Sequence, residues 1–338
     1  MRSTRRTIAL IVGAMLLVTT GLFGGGQSEE RADAPLNVVT TTGHLADMVR
    51  NIAPDADVTE LLGPGTDPHT YVPSTREVQM LRNADIVFWN GLELEVQFTD
   101  TLATLGDHAV EVARKLPERE LIEFAGHGHD HGHDEHGHDE HGHDEHGHDE
   151  HGHDHGEHDP HVWFDLGLWI HVVEIVTDHI VAFDPANEET YRSNAASYVA
   201  QLEELDEYAR DRFAEIPRER RVLVTGHDGF GYLGHRYGFE TLGVFGLSTE
   251  DEAGIRDIEE LAGFVADRGI PVIFQETIVD DQAPRALREA VAARGGNVTI
   301  STARLYSDAL GDRGDTATFI GAFRHNVDTI ADALTGNG

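Results

Sequence analysis

Short apolar segments alternate with amphipathic segments along most of the chain. The apolar segments are the length of strands: LNVVTTT from Leu36, DVTELLG from Asp57, DIVFWN from Asp85, RVLVTG from Arg221, FETLGVFG from Phe239, PVIFQET from Pro271 and NVTIST from Asn297. Helical patterns such as HLADMVRNIA and STREVQMLRNA separate them, and Ser74 is placed to cap the second of these helices. Strands that alternate with helices are typical of βαβ units, so the sequence predicts an α/β fold with a largely parallel sheet in each half.

A long helical pattern lies between the two halves. It reads NEETYRSNAASYVAQLEELDEYARDRFAEIP, and its apolar and aromatic residues recur at steps of three, four or seven. Asn187 can cap its start and Pro217 can end it, which predicts one helix of about 28 residues and about 42 Å. We expect two βα lobes, residues 35–186 and 217–336, joined by residues 187–216 as one long rigid helix. The alternative is an ordinary surface helix in one large domain.

The first residues have the three-part layout of an export signal. Arginines at positions 2, 5 and 6 precede an apolar run from Ile8 to Val18, and small residues follow from Gly24 to Gly26. This run is shorter than the ~20 residues that span a bilayer. We therefore expect residues 1–26 to direct export to the periplasm or another extracytoplasmic space, with an uncleaved anchor as the alternative. The chain contains no cysteine, so acylation at a lipoprotein cysteine is not expected.

The composition is strongly acidic. The 338 residues include 61 acidic and 25 basic side chains, and the formal net charge is −36. Twelve of the acids lie in residues 127–159, so the acidity extends well beyond that segment. A surface of this sign repels nucleic acid and anionic lipid, and neither is an expected partner.

A histidine-rich tract interrupts the first half at residues 127–159. The unit HGHDE occurs four times in it, and its frequent glycines favour neither a packed core nor a regular element. Imidazoles bind zinc, but a disordered chain cannot preorganise four ligands, so we expect several weak, exchangeable zinc sites that gather the metal or sense its excess. The tract histidines are His127, His129, His131, His133, His136, His138, His141, His143, His146, His148, His151, His153, His155 and His158.

Three histidines outside the tract have the setting of a binding site. They are His69 in GPGTDPHTYVPS, His161 in DPHVWFD and His227 in VTGHDGFGYLG. Each lies beside glycine or proline, after a predicted strand or where a loop meets a helix, and such loops commonly build sites. A lone histidine is more often structural, so these three are only candidates on their own.

The order of several motifs resembles the zinc and manganese branch of the periplasmic solute-binding proteins of ABC transporters. GTDPHTYVPS, NGLELE, DPHVWFD, the long helix, VTGHDGFGYL and LYSDALG together cover roughly residues 35–333. The resemblance implies two lobes that clasp one divalent metal and deliver it to a membrane permease. It implies His69 and His161 as ligands from the first lobe and His227 and Asp308 from the second. We also expect a monomer. The sequence departs from the family at VQF after LELE, where an aromatic residue is frequent, and in lacking a lipid-bearing cysteine.

The chemistry of this ligand set favours Zn(II). Three neutral imidazoles and one carboxylate suit the tetrahedral preference of zinc, whereas a shell richer in oxygen favours manganese. Family members that bind manganese often have glutamate where His227 stands, so manganese or iron is the alternative cargo. Copper(I) is disfavoured because the chain has no cysteine and only four methionines. With ordinary histidine pKa values near ~6.5, metal binding should weaken below about pH 6.

Other carboxylates and other functions compete with this interpretation. The segments STEDEAG and ETIVDD offer alternatives to Asp308, namely Glu250, Asp251, Glu252, Glu276, Asp280 and Asp281. A secreted zinc hydrolase would use Asp308 as a base and keep one metal position open for water. A metal-dependent adhesin or metal buffer would share all the same residues. Neither HExxH nor GxSxG occurs, so we expect a receptor and not an enzyme.

Overall fold

The computed structural model describes residues 34–123, 158–250 and 254–336. The predicted export signal, residues 1–26, lies outside the described residues, and so does the tract except for His158 and Asp159. From Leu36 onward the chain forms one unit by its internal contacts.

The strands form parallel sheets. Four of them build one sheet in the order β2-β1-β3-β4, while β5 pairs with β6 and β7 pairs with β8. They are β1 (Asn37–Thr42), β2 (Asp57–Leu62), β3 (Ile86–Trp89), β4 (Ala109–Glu111), β5 (Val222–His227), β6 (Glu240–Phe245), β7 (Val272–Glu276) and β8 (Thr299–Leu305). In the first sheet Val38 of β1 lies opposite Val58 of β2 and Ile86 of β3. Parallel strands need crossover connections, and the helices supply most of them.

The helices are α1 (Gly43–Ile52), α2 (Thr75–Asn83), α3 (Thr99–Ala103), α4 (Leu166–Phe183), α5 (Glu188–Ala214), α6 (Gly231–Tyr237), α7 (Ile255–Arg268), α8 (Gln282–Ala293) and α9 (Phe319–Thr335). Helix α4 is apolar and long enough to pass as a membrane span by composition. Its residues Trp169, Val172, Val176 and Ile180 are fully buried, however, so the protein core accounts for much of that apolarity.

Helix α5 is the long helix that the sequence predicts. It packs against α1 and α4 from the first half of the chain and against α9 from the second half. One apolar core includes Trp163 from before α5, Tyr198 and Phe213 from within it, and Phe323 from after it. Two smaller cores are confined to one half each. The halves therefore share a core beside α5, in addition to the two cores that are confined to one half each.

The mixed α/β fold with parallel sheets is confirmed, and the local differences have simple causes. Strand β4 was not predicted, because a strand of three residues is too short to show an alternation of apolar and polar side chains. In the second half, the described strands form two pairs and not the single sheet that we expected, and β5 contacts β7. Ser74 caps α2 in a full capping box with Glu77. Asn187 precedes α5 but makes no side-chain cap; its amide donates to Asp184 at 2.8 Å instead.

Candidate metal centre

Four polar side chains converge in the interior of the protein. One ligand atom from each of His69, His161, His227 and Asp308 lies within 4.8 Å of the others, and all four residues are buried. His69 Nε2 is 3.2 Å from Asp308 Oδ2, and His227 Nε2 is 3.4 Å from the same oxygen. His161 Nε2 is 3.6 Å from Asp308 Oδ1 and 3.3 Å from His227 Nε2. The structure thus brings together the three histidines and the carboxylate that the sequence singled out.

The carboxyl ends of parallel strands position these residues. His69 lies in the loop after β2, His227 is the last residue of β5, and Asp308 follows β8 by three residues. His161 directly precedes a short 3-10 helix, Val162–Phe164, that leads into α4. Loops at strand ends meet at one edge of a parallel sheet, which is where open α/β folds commonly bind ligands.

Several polar atoms of this cluster have no hydrogen-bond partner within the described part of the chain. They are His69 Nε2 and both carboxylate oxygens of Asp308. His69 and Asp308 are close enough to pair by charge, but the contact does not have hydrogen-bond geometry. An unpaired buried polar atom costs on the order of 1–3 kcal/mol, and one cation in the shared space would satisfy all of them.

Two of the histidines are oriented by buried carboxylates behind them. Asp159 accepts hydrogen bonds from the backbone N–H of His161 at 2.9 Å and from its Nδ1 at 2.7 Å. Glu276 accepts from the backbone N–H of His227 at 2.9 Å and from its Nδ1 at 2.7 Å. A carboxylate on Nδ1 fixes the tautomer that leaves the Nε2 lone pair free for a metal. Both Nε2 atoms accordingly face the centre of the cluster.

The carboxylates that competed with Asp308 in the sequence lie elsewhere or act differently. Glu276 lies next to the cluster, but it accepts a hydrogen bond from the ring of His227 and does not face the cluster centre. Glu250 is exposed and accepts a hydrogen bond from Gln97. Asp280 accepts from the backbone N–H of Gln282, and Asp281 pairs with Arg304. Asp251 and Glu252 lie outside the described residues.

The cluster is electrostatically prepared for positive charge. Burial lowers the pKa of His161, but the charges of Asp308 and Asp159 outweigh it and raise that pKa to about 9. Burial likewise lowers the pKa of His227, while Glu276 and Asp308 raise it well above its ordinary value. The pKa of Asp308 lies well below its usual range, because His227 and His161 overcome the raising effect of burial. In the absence of a metal, these charges therefore favour the protonated forms of His161 and His227.

Trp163 joins the two halves beside the cluster. Its ring meets His161 edge-on at 5.4 Å and stacks on His44 at 4.8 Å, and its Nε1 donates to the carbonyl of Ser307 at 3.1 Å. Burial lowers the pKa of His44 to about 4 against the raising charge of Asp308, so this histidine is neutral. Trp163 thus links His161, through a ring contact, to Ser307, the residue that directly precedes Asp308.

The supporting roles of Asp159 and Glu276 were not predicted from the sequence, in which Glu276 was only an alternative to Asp308. A signal for the first was available, because Asp-Pro-His occurs twice, at Asp67-Pro68-His69 and at Asp159-Pro160-His161. Glu276 had no such signal, since it is 49 positions from His227.

The tract histidines from His127 to His155 lie outside the described residues. His158, the last of them, forms an isolated antiparallel bridge with Glu123, and the backbone N–H of Asp159 donates to Ile122 at 2.9 Å. The two chain ends that flank the tract therefore meet, and the second leads directly to Asp159 and His161.

Fold and cluster together define a metal-binding α/β protein with a buried site of three histidines and one aspartate. Comparisons with known proteins identify its family. The chain belongs to the family described as zinc-uptake complex component A, periplasmic, whose model matches residues 38–333.

Individual relatives are similar over nearly their whole length. The manganese-binding lipoprotein MntA of Bacillus subtilis (strain 168) is 36% identical over 330 residues, covering 96% of this chain and 98% of its own. The zinc-binding protein TroA of Treponema pallidum (strain Nichols) is 36% identical over 334 residues, covering 98% and 99%. The solved structure of periplasmic TroA matches with a TM-score of 0.77 and 38% identity over 89% of this chain and 99% of that one.

Proposed function

We propose that this protein is an exported receptor that captures Zn(II) between its two halves and delivers it to an ABC-type permease. The observation that carries the proposal is the buried cluster of His69, His161, His227 and Asp308, to which both halves contribute. Residues 35–186 and 217–336 would act as the two lobes, with α5 between them. The family to which the chain belongs supports the transport role.

The donor set supports zinc as the cargo. One relative is named for zinc and another for manganese, so similarity to the relatives does not decide which of the two metals this protein binds. Three nitrogen donors and one carboxylate match the tetrahedral preference of zinc, with bonds of ~2.0–2.2 Å, whereas manganese favours more oxygen. Manganese is the second candidate, and the similarity to MntA is the observation that favours it.

A transport role also fits the shell better than catalysis does. A catalytic zinc keeps one position open for water, usually beside three protein ligands. Here a fourth protein donor faces the three imidazoles, so the protein would close the shell itself. We therefore propose that the protein is not an enzyme, and that release to the permease needs separation of the halves.

We further propose that the histidine-rich tract supplies weak auxiliary zinc sites. Fourteen histidines interleaved with acids attract cations by charge and offer imidazole nitrogens as donors. We also propose that the mature protein is extracytoplasmic and monomeric. We propose in addition that it carries no acyl anchor, because the chain offers no cysteine to which an acyl chain could be attached.

The test is a zinc titration of His227→Ala and Asp308→Ala, with metal content measured by elemental analysis. Each change should abolish the tight equivalent and leave the circular dichroism spectrum unchanged, because each removes one of four donors. His171→Ala is the matched control, since that side chain is exposed and lies outside the cluster. Retention of tight binding in either variant would exclude that residue from the shell. Tight manganese with weak zinc in the unaltered protein would instead favour the second candidate.

A further inference from the structure

The first Asp-Pro-His segment is built like the second in its backbone but differs in its side-chain contacts. Asp67 accepts from the backbone N–H of His69 at 2.9 Å, as Asp159 does from His161 at 2.9 Å. Asp159 also binds the Nδ1 atom of its own histidine. Within the described residues no carboxylate accepts a hydrogen bond from the ring of His69, although Asp308 lies 3.2 Å from its Nε2. The second oxygen of Asp67 accepts a hydrogen bond from the hydroxyl of Thr249 instead.

This difference ties one candidate ligand to the other half of the chain. Asp67 and His69 lie in the loop after β2, whereas Thr249 lies beyond β6, 182 positions from Asp67. His161 and His227 each have a carboxylate hydrogen-bonded to Nδ1, whereas in the described part of the chain the hydrogen bond of His69 to a carboxylate is made by its backbone N–H. The Thr249 hydroxyl thus donates to the same carboxylate that accepts from the backbone N–H of His69.

We propose that Asp67 is a positioning residue for His69, and that Thr249 completes this support from the second half. The inference rests on the proposed function and deepens it: binding of the metal by His69 depends on contact between the halves. A hydroxyl that donates to a carboxylate is a charge-assisted hydrogen bond, stronger than a neutral one. When the halves separate, Asp67 loses this partner and the loop that carries His69 loosens.

The setting of the contact supports such a role. Asp67 and Thr249 are only partly buried, and the neighbouring contact between the halves, Gln97 to Glu250 at 2.8 Å, is exposed. By contrast, the bond of Trp163 to Ser307 is buried. Water can replace the exposed Gln97 bond at little cost and the partly buried Asp67 bond at a larger cost, whereas opening the buried Trp163 bond leaves polar groups unpaired. Separation would therefore begin at the Asp67 side and affect His69 before the other ligands.

The experiment measures zinc release from the full-length protein, loaded with one equivalent and mixed with excess chelator in a stopped-flow instrument. Thr249→Val removes the hydroxyl at nearly constant volume and should accelerate release about 3- to 10-fold, the effect of one lost hydrogen bond. Thr249→Ser keeps the hydroxyl and should restore the rate. Thr299→Val is the matched control, because its hydroxyl donates to the carbonyl of Pro271 away from the cluster.

A double-mutant cycle tests whether Thr249 acts through Asp67. Thr249→Val should weaken zinc affinity in the unaltered protein but not in the Asp67→Ala background, where the partner of the hydroxyl is already absent and all four donors remain. Gln97→Ala breaks the neighbouring contact without touching the His69 loop and should change the release rate less than 2-fold, as expected for an exposed bond.

Equal effects of Thr249→Val in both backgrounds would overturn the inference, as would an unchanged release rate or an equally large effect of Gln97→Ala. Those results would leave the proposed function intact. Failure of the unaltered protein to bind one tight zinc would instead refute the proposed function itself.

Discussion

Glu276→Gln isolates the contribution of a residue that supports the proposed ligand His227 without reaching the cluster centre. Glu276 is 1% exposed, and its two oxygens accept from two N–H donors of His227 at 2.9 and 2.7 Å. Glutamine has one oxygen, so one of these donors would face an amide NH₂ group. If His227 shifts its proton to relieve that clash, Nε2 carries the hydrogen and cannot bind metal.

The expected cost follows from this geometry. Loss of a carboxylate behind a metal-binding histidine typically lowers affinity about 10- to 100-fold, which corresponds to ~1.4–2.7 kcal/mol. Competition of the variant with a chelator at pH 7.5, followed by zinc content after dialysis, measures the change. Glu188→Gln serves as the control, because that carboxylate is half exposed and pairs with Arg192 on α5. An affinity within twofold of the unaltered protein would refute the argument that Glu276 sets the His227 tautomer.

Two further predictions concern pH and the tract. The pKa of His161, raised to about 9, means that this group stabilises the metal-free protein fully below pH ~6.5 and loses that contribution as pH rises through 9. The melting temperature of the metal-free protein should therefore fall between pH 6.5 and 9. Over the same range, zinc affinity should rise about tenfold per pH unit for each proton that the metal displaces. A zinc affinity that is flat from pH 5.5 to 9 would contradict this prediction. Deleting residues 128–157 should abolish the weak, multiple-site phase of a zinc titration and leave one tight equivalent; loss of the tight equivalent would place the main site in the tract.

The pH prediction revises what the sequence suggested. Ordinary histidine values place proton competition below about pH 6. In the fold, Asp159 and Asp308 surround His161, and their charges move the competition to higher pH. The part of this shift that comes from Asp308 is not visible in the linear sequence, because Asp308 is far from His161 along the chain.

The sequence by itself determined the local structure and the donor types. Alternating apolar segments gave seven of the strands, and helical periodicity gave α5, because these patterns depend on neighbouring residues. The setting of His69, His161 and His227 beside glycine and proline was also visible, since loops have a local signature. Asp308 came from the motif LYSDALG and its resemblance to a family, and spacing alone could not separate it from Glu276.

Only the tertiary structure decided which groups meet. His161 and His227 are 66 positions apart, yet their Nε2 atoms lie 3.3 Å from each other. The structure assigned Glu276 to His227, gave Asp67 the hydroxyl of Thr249 as a partner, and merged part of both halves into one core beside α5. Such contacts depend on the packing of whole elements, which brings distant strand ends to one edge, so no local pattern records them. The sequence therefore fixes which donors exist, and the packing of the elements fixes which of them share one space.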